Sequence, residues 1–113
     1  MKYLLSIYVN DQGWNEIEAN LMEEFQAAHD AIQRDLTASG ELVDTTELSP
    51  VDARQVRTKD GASIVTDGPF TEGREVVGGF YIVDTATIER AVEIAGRFVE
   101  ARFAPVEVRR MGH

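Results

Sequence analysis

The alternation of apolar and polar side chains divides the chain into short strands and two helices. Lys2 to Val9 carries apolar side chains on both alternating sets, with Tyr3 on one face and Tyr8 on the other. Gly78 to Val83 shows the same two-faced pattern. Strands of this kind need cover on both faces, so we predict that both lie centrally in a sheet.

A helical stripe follows the first strand. Apolar residues recur at spacings of three and four from Ile17 to Leu36, and Gly40 supplies a C-terminal stop. Asn15 and Asn20 each precede a glutamate by three residues, which is the spacing of a capping box. The pattern therefore predicts a helix that begins at one of these two asparagines.

A strand and a hairpin are predicted next. Glu41 to Leu48 has strand character, and the turn around Pro50 ends it. The runs "RQVRT" and "ASIVT" are separated by "KDG", in which Asp60 and Gly61 form the dipeptide that a tight hairpin turn needs. We predict a β-hairpin over residues 54–66.

The last part of the chain repeats the order helix then strand. Asp84 or Thr85 can cap a second helix, whose buried stripe begins at Ile88 and continues to residue 98 or 99. Val106 to Arg109 alternates apolar and charged positions and closes the chain as a short strand.

The element order is β-α-β, a hairpin, then β-α-β. It predicts an α+β, ferredoxin-like fold with an inserted β-hairpin, in which an antiparallel sheet carries two helices on one face, in a single domain over residues 1–113. The other face would expose the second apolar set of the central strands, which soluble proteins rarely tolerate. We therefore predict a homodimer that packs sheet against sheet, with a cavity for a small-molecule ligand between the sheets or between sheet and helix.

Composition narrows the classes of function. The net charge of -9 leaves no electrostatic footprint for a nucleic acid, so no direct nucleic-acid partner is predicted. The chain has no cysteine and a single histidine inside the fold, which excludes a thiolate or multi-histidine metal centre within one subunit; no metal and no cofactor are predicted. The apolar N-terminal run is interrupted by Ser6, and no segment reaches about 18 apolar residues, so we expect neither a signal peptide nor a membrane span and place the protein in the cytoplasm.

His29 is the candidate with the most versatile chemistry. It lies within the helical stripe between Phe25 and Ile32, so it points toward the sheet or toward a cavity beneath the helix. Two interpretations stay open: a hydrogen-bonded packing residue, or a general acid/base that a carboxylate such as Asp67 or Glu72 orients.

Five further positions belong to the predicted site. Asp67 is the second catalytic candidate, although its side chain can equally fix the turn at "DGP" by accepting backbone N–H bonds. The tyrosines Tyr8 and Tyr81 offer a hydroxyl and ring area to a ligand, or serve as core or interface residues. Gly79 suggests a close approach by backbone or ligand, and Phe70 suggests a hydrophobic plug. The last four form the predicted binding pocket.

A family resemblance spans essentially the entire chain. "TDGPFTEGREVVGGFYIVD" resembles the signature of YCII-related proteins of the DGPF type, and "MKYLLSIY", "SGEL", "ARQVRTKDG" and "APVEVR" are similar to that family too. The resemblance implies a dimeric α+β barrel, in which ferredoxin-like subunits pair through their sheets. Many DGPF-type proteins are encoded beside extracytoplasmic-function sigma factors, and the wider fold hosts isomerases, dehydrochlorinases and monooxygenases that act on small molecules.

The resemblance also bears on His29. In the wider YCII group a histidine eleven residues before the glycine that ends helix one is proposed to pair with an aspartate near the last helix. His29 stands eleven residues before Gly40, whereas "GRFVEARFAPVEV" contains no aspartate and has Val99 where DGPF relatives usually carry proline. The resemblance thus implies half of the dyad. The sequence is compatible with an acid/base enzyme. It is also compatible with a non-catalytic module that binds a ligand or has a regulatory role in a sigma-factor system.

Overall fold

The computed structural model describes residues 1–68 and 74–112. The strands are β1 Lys2–Val9, β2 Leu42–Glu47, β3 Arg54–Lys59, β4 Ala62–Asp67, β5 Val76–Asp84 and β6 Val106–Arg110. The central layer is an antiparallel sheet in the order β2-β5-β1-β6, and a separate pair, β3 and β4, forms the inserted hairpin. This is the predicted ferredoxin-like α+β arrangement.

The helical segments are more divided than the apolar stripe predicts. They are α1 Asp11–Glu16, a π-helical turn Ile17–Leu21, α2 Met22–Ser39, α3 Ile88–Ala95 and a 3₁₀ turn Val99–Arg102. Within the described part of the chain, no helix combines the length and the apolar character needed to cross a membrane.

The predicted helix starts are wrong, because other residues cap the helices. Asn10 caps α1 by accepting a hydrogen bond from the Gly13 backbone N–H at 2.7 Å. Thr87 caps α3 by accepting one from the Arg90 backbone N–H at 3.2 Å. The predicted stop at Gly40 is confirmed: its φ of 78° is left-handed, and its N–H bonds back to the last turn of α2.

The π-helical turn bends the first helical segment sharply. Leu21 leaves helical geometry, with φ -125° and ψ 11°. The rings of Trp14 and Phe25 are 5.5 Å apart, edge to face, although residues eleven apart on a straight helix are separated by about 16 Å along its axis. Therefore α1 folds back toward the flank of α2, and π-helical turns of this kind are frequent at functional sites.

The hydrophobic core lies between one sheet face and the helices, as predicted. On β1 and β5 every second side chain points into it, and the stripes of α2 and α3 close it from the other side. Its principal members are Tyr3, Leu5, Ile7, Ile32, Leu36, Tyr81, Val83, Ala91, Ile94 and Phe98.

The opposite side of the sheet carries the second apolar set. Leu4 pairs with Ile82 across the two central strands, and Phe80 and Tyr8 lie on the same side. All four are only half-buried. We call these four residues the open sheet face.

The hairpin has the turn that its sequence predicts. Asp60 and Gly61 have φ values of 52° and 77°, which is the pair of positive φ angles required by a type I′ turn. Val56 and Val65 face each other across the two strands and are 64% and 58% exposed. A two-stranded ribbon of this kind is marginal by itself in water.

A carboxylate–guanidinium pair joins α3 to the start of β2, and it gives a prediction about acid stability. Arg90 Nε and Nη2 donate to the two carboxylate oxygens of Glu41 at 3.0 and 2.9 Å. The hydrogen bonds from Arg90, together with one from Ser39, lower the pKa of Glu41. We expect Glu41→Gln to reduce the free energy of unfolding by about 1 kcal/mol at neutral pH.

The pH dependence of this difference follows from the direction of the shift. A carboxyl group whose pKa is lower in the folded state stabilises the fold above its unfolded pKa, and this contribution is lost as the pH falls through the folded pKa. Urea unfolding should therefore show the parent and Glu41→Gln converging below about pH 4. The exposed Glu18→Gln is the control, and a difference that stays constant down to pH 3 would contradict the assignment.

Candidate active site

A cavity of about 1000 Å³ opens between α2, the central strand β5 and the end of β2. Its apolar wall consists of Ile7, Val9, Trp14, Phe25, Leu48 and Pro50. Its polar groups come chiefly from α2, from the end of β2 and from the 3₁₀ turn. This size and this mixture are typical of sites for small molecules.

A chain of hydrogen bonds crosses the polar side of the cavity. His29 Nε2 lies 2.9 and 3.1 Å from the two carboxylate oxygens of Glu100, and His29 Nδ1 lies 2.8 Å from the Tyr81 hydroxyl oxygen. Gln33 Nε2 donates to the same hydroxyl at 3.1 Å. All four residues line the cavity.

For a neutral imidazole beside an ionised Glu100, the donors and acceptors in this chain are consistent in only one direction. A carboxylate only accepts, so His29 Nε2 carries the hydrogen and Nδ1 has a free lone pair. The Tyr81 hydroxyl then donates to Nδ1, and its oxygen accepts from the Gln33 amide. Of the two neutral tautomers of His29, its neighbours therefore favour the one with the hydrogen on Nε2.

Three separate elements bring these groups together. His29 and Gln33 are four residues apart on α2 and so share one face of the helix. Tyr81 points inward from β5, and Glu100 comes from the 3₁₀ turn after α3. The Phe98 ring packs 5.3 Å from the His29 ring and 4.8 Å from the Tyr81 ring, which holds both rings in place.

The residues of the hydrogen-bond chain differ in how deeply they are buried. The side chain of His29 is 16% exposed and that of Glu100 is 6% exposed, whereas Tyr81 is 2% exposed. Burial raises the pKa of Tyr81, so its hydroxyl stays protonated at neutral pH. His29 is thus more open to a ligand than Glu100 or Tyr81, and Gln33 is the exposed member of the chain.

The 3₁₀ turn that carries Glu100 is anchored to α1. Asn10 Nδ2 donates to the Phe103 carbonyl oxygen at 3.4 Å. A Cβ atom at Gly13 would come within 2.6 Å of the Phe103 Cβ, so only glycine allows this approach. The bend in the first helical segment and the position of Glu100 are therefore linked.

Gly79 and Tyr81 both line the cavity. A Cβ atom at Gly79 would meet the Thr46 carbonyl oxygen at 3.1 Å, so the close approach expected there is made by the backbone of β2. Phe70 and Glu72 lie outside the described residues.

The structure does not bring Tyr8 or Asp67 into this cavity. Strand alternation turns Tyr8 to the open sheet face, away from His29. Asp67 ends β4 with its side chain 91% exposed, 3.5 Å from Arg54 Nε across the hairpin. The predicted partnership of His29 with Asp67 is thus replaced by one with Glu100.

Glu100 and Gln33 are the site residues that the sequence interpretation misses. The only local signal for Gln33 is its spacing of four from His29. Glu100 lies in "FVEAR", one residue after the end of the expected helical stripe, where a glutamate is typical of a solvated surface. The absence of an aspartate there therefore does not leave His29 without a carboxylate.

Comparison with known proteins identifies the family of the chain. The YCII-related domain family matches residues 1–111. The chain belongs to the YCII-related family. This YCII-related chain is similar to an uncharacterized protein of Rhizobium meliloti (strain 1021), with 38% identity over 66 residues that cover 58% of the chain. The matched region spans 53% of that relative, about half of its length.

The described residues contain no cluster of side chains suited to binding a metal ion. Among residues 1–68 and 74–112, no three His, Asp or Glu side chains are grouped as a metal ion would require.

Proposed function

We propose that this YCII-related protein is an enzyme that moves a proton on a small molecule bound in the cavity, with His29 as the general acid/base. The observation that carries the proposal is the buried carboxylate of Glu100 directed at His29 Nε2. A carboxylate behind an imidazole fixes its tautomer and stabilises the imidazolium that forms when it takes a proton.

Tyr81 relays the proton in this mechanism. Its hydroxyl oxygen takes a proton from the substrate while its own proton moves to His29 Nδ1, and Glu100 remains ionised beside the resulting imidazolium. The reverse transfer returns the proton to another atom of the same substrate, so the step is redox-neutral. Because burial raises the pKa of Tyr81, the tyrosinate is disfavoured and the two transfers must be coupled.

The tautomer of His29 provides a direct test. We expect nitrogen NMR of the parent protein to show the hydrogen on Nε2 and a hydrogen-bonded, unprotonated Nδ1. In Glu100→Gln the new amide can donate to Nε2, so the hydrogen should move to Nδ1 and point at the Tyr81 oxygen.

Glu23→Gln on the exposed side of α2 is the matched control and should leave the tautomer unchanged. If the hydrogen were on Nδ1 in the parent, Tyr81 could not donate to His29 and the proposed relay would be wrong.

A second candidate function is ligand binding without catalysis. Both ring nitrogens of His29 already have partners within the protein, as expected for a rigid pocket that recognises rather than transforms a ligand. We propose this regulatory module, associated with a sigma-factor system in a protein of the DGPF type, as the alternative. A ligand that co-purifies and stays unchanged on incubation would favour it over the enzyme.

We also propose that the protein works as a homodimer joined through the open sheet face. The apolar centre formed by Leu4, Tyr8, Phe80 and Ile82 is flanked by polar side chains of the two edge strands, such as Thr46 and Glu107. An apolar centre within a polar rim is the usual anatomy of a protein interface.

A further inference from the structure

The cavity that contains His29 has an acidic lining. Asp30 and Glu47 lie on it with exposed side chains, and Glu100 adds a third carboxylate at its inner end. Of the described residues that line the cavity, none is lysine or arginine. An anionic ligand would meet carboxylates on several sides without a compensating cation.

One wall of the same cavity is aromatic. Trp14 and Phe25 meet edge to face with ring centroids 5.5 Å apart, and Phe25 lies 4.7 Å from the His29 ring. Aromatic faces attract ammonium groups through the ring quadrupole and also provide apolar contact area. The bend at the π-helical turn creates this wall, because it brings Trp14 back beside Phe25.

We propose that the cavity binds a small organic ammonium compound with an apolar ring or chain. The ammonium group lies near Asp30 and Glu47, and the apolar part packs against Trp14 and Phe25. The inference deepens the proposed function, since it rests on the same cavity and names the class of substrate, but it does not depend on proton transfer.

A matched series of three compounds tests which sign of charge on the ligand the cavity prefers. The probes are 2-phenylethylamine, 2-phenylethanol and phenylacetate, which share a ring and differ in the charged group. Titration calorimetry or proton NMR of the full chain at low salt should show the amine binding at least about tenfold more tightly than the acid, with the alcohol between them.

Two variants localise the effect. Glu47→Gln should weaken the amine about fivefold and change the alcohol by less than twofold, because an exposed carboxylate contributes only charge. Trp14→Leu should weaken the amine about two- to fivefold through loss of the aromatic face. Glu18→Gln, exposed on the π-helical turn, is the charge-matched control and should change neither the affinity for the amine nor that for the alcohol.

Phenylacetate binding as tightly as the amine, or no binding of the amine at millimolar concentration, would overturn the proposal. Failure of the proposed enzyme function is distinguishable from this failure. His29→Gln should keep the preference for the amine over the acid. If NMR instead contradicts the proposed tautomer of His29, the order of affinities among the three compounds should still hold.

Discussion

A His29→Ala variant is expected to lose about 3–5 kcal/mol of unfolding free energy at neutral pH. The substitution removes the partner of Glu100, whose side chain is 6% exposed, and leaves the carboxylate without that hydrogen bond. Breaking one side of a buried pair costs this much because the remaining charge stays desolvated. Since single domains are stabilised by only about 5–15 kcal/mol, the loss should be evident in urea or thermal unfolding.

The double variant His29→Ala/Glu100→Leu is the control for this prediction. It removes both partners, and the apolar leucine occupies the space of the glutamate, so it should be more stable than His29→Ala alone. Equal stability of the single and double variants would show that His29 and Glu100 are not coupled.

Replacing Ile82 by glutamate is expected to convert the proposed dimer into a monomer. We expect light scattering of the parent to give twice the 12.6 kDa mass of one chain. Ile82 lies on a central strand within the open sheet face. A carboxylate at this position would be desolvated when two chains associate. The dissociation constant of the dimer should therefore rise at least about 30-fold.

Ile88→Glu is the matched control for the dimer. Ile88 is 46% exposed in the first turn of α3, on the helical side of the sheet, where a glutamate is favourable. It should remain dimeric, and circular dichroism should show that both variants are folded. A parent protein that is monomeric at micromolar concentration would contradict the dimer directly.

The strands and the fold class could be predicted because their signals are local and redundant. Lys2–Val9 has its predicted bounds, since its alternation continues to the break at Asn10. The hairpin follows from the Asp60-Gly61 dipeptide, whose positive φ angles few other pairs adopt at low energy. Local patterns of this kind do not depend on what the chain contacts elsewhere.

The helix boundaries were harder to predict because the apolar stripe continues through a break. Ile17, Leu21 and Phe25 keep the spacing of four that a single helix would show, although a π-helical turn separates α1 from α2 at this point. The cap at Asn10 is equally hidden, because the residue three positions later is Gly13 and not the glutamate of a capping box.

The candidate site could be predicted only in part because its contacts join distant segments. His29 and Glu100 are 71 positions apart, and the side chain of Glu100 points inward only because the chain forms a 3₁₀ turn after α3. Asp67 had the correct chemistry and a conspicuous turn beside it, but the hairpin holds it outside the cavity. Residue type alone therefore identified the histidine and not its carboxylate.

The bend between α1 and α2 separates the position of the aromatic wall from that of His29, two positions that a straight helix would fix relative to each other. His29 and Gln33 belong to α2, whereas Trp14 lies on α1, across the π-helical turn. A change of length or sequence in Ile17–Leu21 would move Trp14 and leave His29 and Gln33 in register with β5. The aromatic wall can thus vary through five residues while His29 keeps its position, whereas Glu100 would follow α1 through the contact of Gly13 with Phe103.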